Sequence, residues 1–558
     1  MAQLQSRREF LVTGGMTLAG VMVKPAFAVE GPHYDFLFKN AQVLDGSGRP
    51  ARKADIAVKG DTIAAIDAIP SEQARNAIDV AGLHISPGFI DIHSHSDLTI
   101  LSHPTADNCV FQGITTEVTG NCGYSAAPVS KKAADREILE KRFGFVPQWD
   151  TVSSYFDAVE KLKISVNHAF LIGHGTLRSN IIGSIDRKMT PAELKTTARA
   201  VEEGMDQGAF GLSTGLEYAP GIYAPIEEIV ELARLVSRRK GLYASHIRNE
   251  VDGVLAAIEE AIHIGREAGV RVQVSHLKAI GRPNWWRQKA ALDIIEKARA
   301  GGVDVMADAY PYTAYATSLT LFLEPWAREG GSDDIKARLK NPKKRERIRS
   351  EAHRRVQNDP GGYDLAMILN VDSEIHQTVV GKNLIEIAEM WQVEPVDALL
   401  KLLEETGGIG GFIGHGMSPE NVEMVLSHPL VMIGSDGASM PLPEAGSPCQ
   451  AHPRCFGTYP KVLGHYTRER KIMDLPTAVK KMTTMPAARL GLRDRGRIAR
   501  GMKADLVVFD AATVLDKATF ENPCQYSVGI KYVMVNGQLV VENEKHTGRK
   551  PGGMLRRV

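Results

Sequence analysis

The 558-residue chain predicts an α/β protein: a (β/α)8, TIM-like barrel, with a small β-sandwich built from both termini and a lid inserted between barrel strands 7 and 8. Three observations lead there. Through the middle of the chain, apolar strand-like runs alternate with amphipathic helical stretches, the pattern that yields a parallel sheet covered by helices. Eight such units can be counted. Short strands closed by Gly, Asp or Asn occupy both ends of the chain.

Taken in order, residues 1–28 stand apart. Ser6-Arg7-Arg8-Glu9-Phe10-Leu11, a mildly apolar stretch from Val12 to Val23 and the small-x-small site Ala26-Phe27-Ala28 resemble a twin-arginine export signal. The expected location is therefore periplasmic or secreted, reached through the twin-arginine machinery. Residues 29–85 carry Phe36-Leu37-Phe38, Ala41 to Leu44, Asp55 to Val58 and Thr62 to Ile66, the first part of the sandwich. Residues 491–558 supply the rest, with Ala504 to Phe509 and a hairpin turning at Asn536-Gly537. Residues 86–490 hold the barrel, whose strands are expected at His84 to Ile92, Thr115 to Thr119, Asn167 to Ile172, Ala209 to Ser213, Leu242 to His246, Val270 to His276, Val303 to Asp308 and Leu430 to Ser435. A doubly wound open sheet is the alternative. The longest gap, about 330–428, carries the charged helical block Lys336 to Arg355 and reads as a lid over the barrel mouth, with outer decoration as the other reading.

Bulk composition narrows the partners. Lys+Arg at 67 against Asp+Glu at 66 leaves no field of either sign, which argues against nucleic acid. Apolar runs stop short of the roughly 18–20 residues that a membrane span needs. The five cysteines, Cys109, Cys122, Cys449, Cys455 and Cys524, are too few and scattered for a disulfide framework, although Cys449 and Cys455 are near enough in sequence to bridge.

In such a barrel the chemistry stands at the C-terminal ends of strands. There the chain has Gly88-Phe89-Ile90-Asp91-Ile92-His93-Ser94-His95, then Asn121-Cys122-Gly123, His246, His276 and Asp436. His93 and His95, two apart on a strand, present both imidazoles to one side. Singly, His246 and His276 read as core histidines, Cys122 as a small buried residue and Asp436 as a helix cap. Together they form a set of imidazole, thiolate and carboxylate that suits Zn2+. Lys278, two residues past His276, faces the same side if the strand continues, and Arg454 is suited to grip a substrate carboxylate.

This set resembles the amidohydrolase superfamily. The segments Gly215-Leu216-Glu217-Tyr218-Ala219-Pro220-Gly221, Ser275-His276-Leu277-Lys278, Asp308-Ala309-Tyr310-Pro311-Tyr312, Gly434-Ser435-Asp436 and His452-Pro453-Arg454 are similar to its N-acyl-D-amino-acid deacylase (D-aminoacylase) branch. The resemblance implies that Cys122 replaces a metal-bridging carbamylated lysine. It further implies that Cys122, His246 and His276 hold one tightly bound zinc, with His93, His95 and Asp436 forming a weaker second position. Asp436 would serve as the proton acceptor and donor, while Tyr218, Lys278, Tyr310 and Arg454 would bind an N-acylated amino acid. Tyr315 stands where relatives tend to have small residues, so it is expected to reshape the side-chain pocket. A cyclic amidase, a dipeptidase and a non-catalytic periplasmic metal-binding protein remain as alternatives.

Overall fold

The computed structural model describes residues 33–130, 140, 144–371, 378–444 and 449–557; residues 1–28, expected to be an export signal, lie outside the described residues. Strands β1 (Tyr34–Val43), β2 (Arg52–Lys59), β3 (Thr62–Asp67), β4 (Ala74–Asp79) and β5 (His84–Pro87) open the chain. The barrel strands β6 (Phe89–Asp91), β7 (Ile114–Thr119), β8 (Asn167–Gly173), β9 (Gly211–Gly215), β10 (Leu242–His246), β11 (Arg271–Val274) and β12 (Val305–Ala309) follow. After them come β13 (Tyr315–Ser318), β14 (Ala366–Val371) and β15 (Gly410–Gly414), then the last barrel strand β16 (Val431–Ile433). The chain finishes with β17 (Leu506–Phe509), β18 (Ile530–Val535), β19 (Gln538–Glu542) and β20 (Lys545–His546).

The terminal strands form one nine-stranded sheet in the order β20-β19-β18-β17-β5-β1-β2-β3, with β4 on β1. On one of its faces Phe38, Val43, Ile56, Val58 and Ile85 from the first part share a core with Leu506, Val508, Met534 and Leu539 from the last. The run His84 to Ile92, expected as one barrel strand, is two: β5 pairs with β1 and β17, and only Phe89–Asp91 enters the barrel. The break falls at Pro87-Gly88. A Cβ on Gly88 would lie 2.1 Å from the Thr115 hydroxyl, so the chain can switch sheets there only with a bare Cα.

The eight barrel strands are parallel and ordered β16-β12-β11-β10-β9-β8-β7-β6. They are buried on both faces, as Asn167–Gly173 illustrates with every residue buried, and polar side chains such as Glu117, His168, Gln273 and Asp308 are buried among the apolar ones. The barrel closes between the ends of β6 and β16. There the Asp436 amide donates to the His93 carbonyl (2.8 Å) and the His95 amide to the Gly437 carbonyl (2.7 Å). This closure rules out the open-sheet alternative. Helices cover the outside: in Ile226–Arg238 the residues Ile229, Leu232, Ala233 and Val236 fall on one buried stripe.

Between β12 and β16 the chain builds a separate antiparallel sheet, β13-β15-β14, with the helices Ser332–Lys340, Pro342–Asn358, Leu384–Trp391 and Pro395–Thr406. Tyr315 belongs to this layer. Its ring meets Phe412 edge-on and its hydroxyl donates to Asp359, so its side chain packs within the insertion. Cys449 is disulfide-bonded to Cys524, 75 residues away, while Cys455 is free. The Cys449–Cys455 pairing is thereby excluded; sequence proximity gives no account of a partner carried by the C-terminal segment.

The turn after β7 leaves no room for a side chain at Gly120. Gly120 has φ +78°, and a Cβ there would stand 1.9 Å from the Leu171 carbonyl oxygen. Gly120→Ala is predicted to destabilise the fold by about 3 kcal/mol or more, read as a lowered midpoint of chemical unfolding.

Candidate metal centre

The residues singled out from the sequence arrive at the barrel mouth from different strands. His93 and His95 follow β6, Cys122 follows β7, His246 ends β10, His276 follows β11 and Asp436 follows β16. His93 and His95 are not on a strand, because β6 stops at Asp91; both rings nevertheless reach Asp436. His95 Nε2 lies 3.0 Å and His93 Nε2 3.4 Å from Asp436 Oδ1. Cys122 Sγ is 3.4 Å from His93 Nε2 and 3.5 Å from His276 Nε2, and His276 Nε2 is 2.9 Å from His246 Nδ1.

The backbone accepts strain to achieve this. Cys122 (φ 51°), His276 (φ 34°) and Asp436 (φ 51°) all adopt the left-handed region that non-glycine residues avoid. Each is pinned nearby. The Gly123 amide donates to Ser213 Oγ at 3.0 Å, the His276 amide to Asp308 Oδ1 at 2.8 Å, and the Ser435 amide to Asp91 Oδ1 at 2.9 Å.

Two donor groups share the sulfur: Cys122, His246 and His276 form one, and His93, His95, Cys122 and Asp436 form the other. Within each, the ligand atoms lie within 4.8 Å of one another, close enough for a single cation to meet them. The charge balance fits as well. Burial alone would raise the Cys122 thiol, but His93 and His276 beside it hold it well below its ordinary pKa. Burial likewise opposes ionisation of Asp436, and Arg454 and His93 overcome it, keeping its carboxyl well below the usual range. A thiolate and a carboxylate among imidazoles form a donor set for a soft-to-borderline metal.

Three carboxylates that sequence reasoning passed over stand behind the rings. His93 Nδ1 is 3.1 Å from Asp308 Oδ1, His276 Nδ1 is 2.9 Å from Glu250 Oε1, and His246 Nε2 is 3.4 Å from Glu217 Oε2. Such partners fix which ring nitrogen faces the metal. Asp308 and Glu217 lie in motifs already quoted at strand ends, so an acid at the mouth-side end of a strand was the available signal; Glu250, four residues past β10, offered none.

The substrate-side residues divide. Lys278 does not continue a strand, since β11 ends at Val274. Its ammonium is drawn instead onto Glu250 Oε1 (2.7 Å) and the His276 carbonyl (3.0 Å). Burial works against the Glu250 carboxyl, yet Lys278 and His276 pull it down to about 2. Arg454 Nη1 sits 2.7 Å from Asp436 Oδ2, with its guanidinium 5.0 Å from the centre of the Tyr310 ring. Arg454 Nε and the Tyr310 hydroxyl are buried without a hydrogen-bond partner among the described residues. The Tyr218 ring lies 4.5 Å from that of His246, and its hydroxyl is 3.0 Å from Thr317 Oγ1 on β13, so the insertion walls the mouth.

A closed (β/α)8 barrel with a buried sulfur, nitrogen and oxygen donor cluster at the C-terminal ends of its strands defines the metal-dependent hydrolase class. The comparisons agree. A family model described as "Amidohydrolase family" matches residues 371–541. The D-aminoacylase of Alcaligenes xylosoxydans xylosoxydans is 37% identical over 94% of this chain and 98% of its own. The N-acyl-D-glutamate deacylase of the same organism is 36% identical over 94% and 96%. The crystal structure of N-acyl-D-glutamate deacylase from Bordetella bronchiseptica, complexed with zinc and a phosphonate mimic of the tetrahedral intermediate, superposes with a TM-score of 0.79 at 36% identity, covering 94% of this chain and 99% of that one. The chain belongs to the amidohydrolase family, in the branch of the D-aminoacylases and N-acyl-D-amino-acid deacylases. It carries a metal cofactor site.

The metal-free protein offers a test of the cluster's charge. His93 and His276 favour the charged form of Cys122, whereas burial and then Glu117 push Cys109 well up. Iodoacetamide at pH 7 should therefore alkylate Cys122 and spare Cys109 in metal-depleted protein, and added zinc should abolish the labelling, as read by peptide mass spectrometry.

Proposed function

We propose that the protein hydrolyses N-acyl-D-amino acids to a D-amino acid and a carboxylate, with zinc held tightly by Cys122, His246 and His276 and a second, weaker position at His93, His95 and Asp436. The observation that carries this reading is the placement of Asp436. One carboxylate oxygen faces the donor cluster at 3.0 Å from His95 Nε2, and the other faces the Arg454 guanidinium at 2.7 Å. A single acid thus adjoins both the metal position and a cation suited to the carboxylate of an acylated amino acid.

Zinc, when bound, supplies a Lewis acid that polarises an amide carbonyl and acidifies a water. The protein's own groups do the rest. Asp436, kept ionised by Arg454 and the imidazoles, accepts the proton of the attacking water. It then returns that proton to the amide nitrogen, which must be protonated before the amine can leave. Arg454 Nε and the Tyr310 hydroxyl, without hydrogen-bond partners among the described residues, are available to bind the substrate carboxylate. Lys278 adds positive charge at that end although its contacts are with Glu250 and His276. Burial keeps the Tyr218 phenol protonated, as a donor for the amide carbonyl. Selectivity for the D form is supported by the relatives' activities.

We also propose that the protein works outside the cytoplasm after twin-arginine export. Support comes from Arg7-Arg8 and Ala26-Phe27-Ala28 and from the Cys449–Cys524 disulfide, a bond that persists in oxidising compartments. Replacing Arg7 and Arg8 with lysine should leave the protein in the cytoplasmic fraction of an exporting host; unchanged periplasmic recovery would contradict it.

The activity is tested by amine release from matched N-acetyl-D- and N-acetyl-L-amino acids. Release should be confined to the D series and fall by about 1,000-fold or more in Asp436→Asn, with zinc retained by the Cys122 set. Equal turnover of the two series, or an Asp436→Asn variant of full activity, would refute the reading.

A further inference from the structure

The three carboxylates behind the histidine rings are held in different ways. Asp308, behind His93, is fixed from within the barrel, accepting from Gln273 Nε2 (2.8 Å) and from the His276 amide (2.8 Å). Glu250, behind His276, is held by Lys278 Nζ at 2.7 Å, again a barrel residue. Glu217, behind His246, depends on the insertion. Arg355, on the helix Pro342–Asn358, donates to Glu217 Oε1 at 2.5 Å, and Arg328 donates to the Glu217 backbone carbonyl at 2.6 Å. Arg355 in turn lies 3.9 Å from Asp359 Oδ2, and Asp359 accepts from the Tyr315 hydroxyl. A line of paired groups, Asp359, Arg355, Glu217, thus runs from the insertion to the back of His246, whose Nδ1 faces His276 Nε2 at 2.9 Å.

The side chain of Glu217 is 4% exposed. A carboxylate so buried requires a cation, and a histidine requires an acceptor on one nitrogen if the other is to be directed at a metal. We propose that Arg355 is a positioning residue for the metal centre: by fixing Glu217 it holds the His246 ring with Nδ1 toward the metal, so tight metal binding requires the insertion to be seated on the barrel. The inference rests on the metal-centre reading above.

Zinc dissociation constants of the full chain, measured by competition with a chromophoric chelator, test it in Arg355→Met, Arg355→Lys, Glu217→Gln and the Arg355→Met, Glu217→Gln double variant, alongside thermal melting of each metal-free form. Arg355→Met and Glu217→Gln should each weaken zinc binding about 10- to 100-fold. The double variant should be no weaker than the weaker single one, and Arg355→Lys should recover most of the loss. The proposal is overturned by an Arg355→Met affinity within about twofold of the parent, by losses that multiply in the double variant, or by losses that only track a lowered melting temperature. If Arg355→Met fails to fold, unchanged zinc affinity in Glu217→Gln is enough to overturn it. A parent chain that binds no zinc would instead defeat the metal-centre reading, a separate outcome.

Discussion

The Cys122 sulfur stands 3.4 Å and 3.5 Å from the nearest nitrogens of His93 and His276, and the barrel mouth is arranged around keeping that contact. A thiolate in a buried position is costly unless positive charge lies against it. The strained conformations at Cys122, His276 and Asp436 bring the donors together, and hydrogen bonds from neighbouring strands hold each in place. Strand-end geometry supplies the convergence, since each donor needs only the last residue of a strand or the turn after it. Barrel closure serves the same purpose: the bonds that join β6 to β16 run through His93, His95 and Asp436 themselves.

Around this centre the rest of the chain is support. The nine-stranded terminal sheet leads directly into the barrel through Pro87-Gly88, so the first metal-proximal segment is anchored at both ends. The Cys449–Cys524 bond ties the segment before Arg454 to the C-terminal region, where Phe520 packs against His452. The insertion contributes at a distance, through Thr317 on Tyr218 and Arg355 on Glu217. Because Arg454 contacts Asp436 directly, the proposed roles of these two residues in substrate recognition and proton transfer would share one ion pair.

Much of this was legible in the sequence because burial and strand-end placement leave strong marks. Strand-like runs that end in His, Cys or Asp mark the barrel and the candidate donors in the sequence itself. Other features leave no such mark. The run His84 to Ile92 reads as one strand, since only packing against Thr115 makes Gly88 a break. Pairing between Cys449 and Cys524 spans 75 residues and no local pattern encodes it. Tyr315 reads as a bulky intruder until its hydroxyl is seen on Asp359. Arg355 lies in a helix so rich in Lys and Arg that the pattern, read as a lid or as outer decoration, does not reveal which guanidinium reaches Glu217.

The central claim is that Cys122 is a metal ligand alongside imidazoles, and zinc-edge X-ray absorption of protein loaded with one equivalent of zinc tests it most directly. The account predicts one sulfur scatterer at about 2.3 Å together with nitrogen or oxygen scatterers at about 2.0–2.1 Å. It also predicts that the sulfur contribution disappears in Cys122→Ser. A first shell of nitrogen and oxygen alone in the parent protein would contradict it.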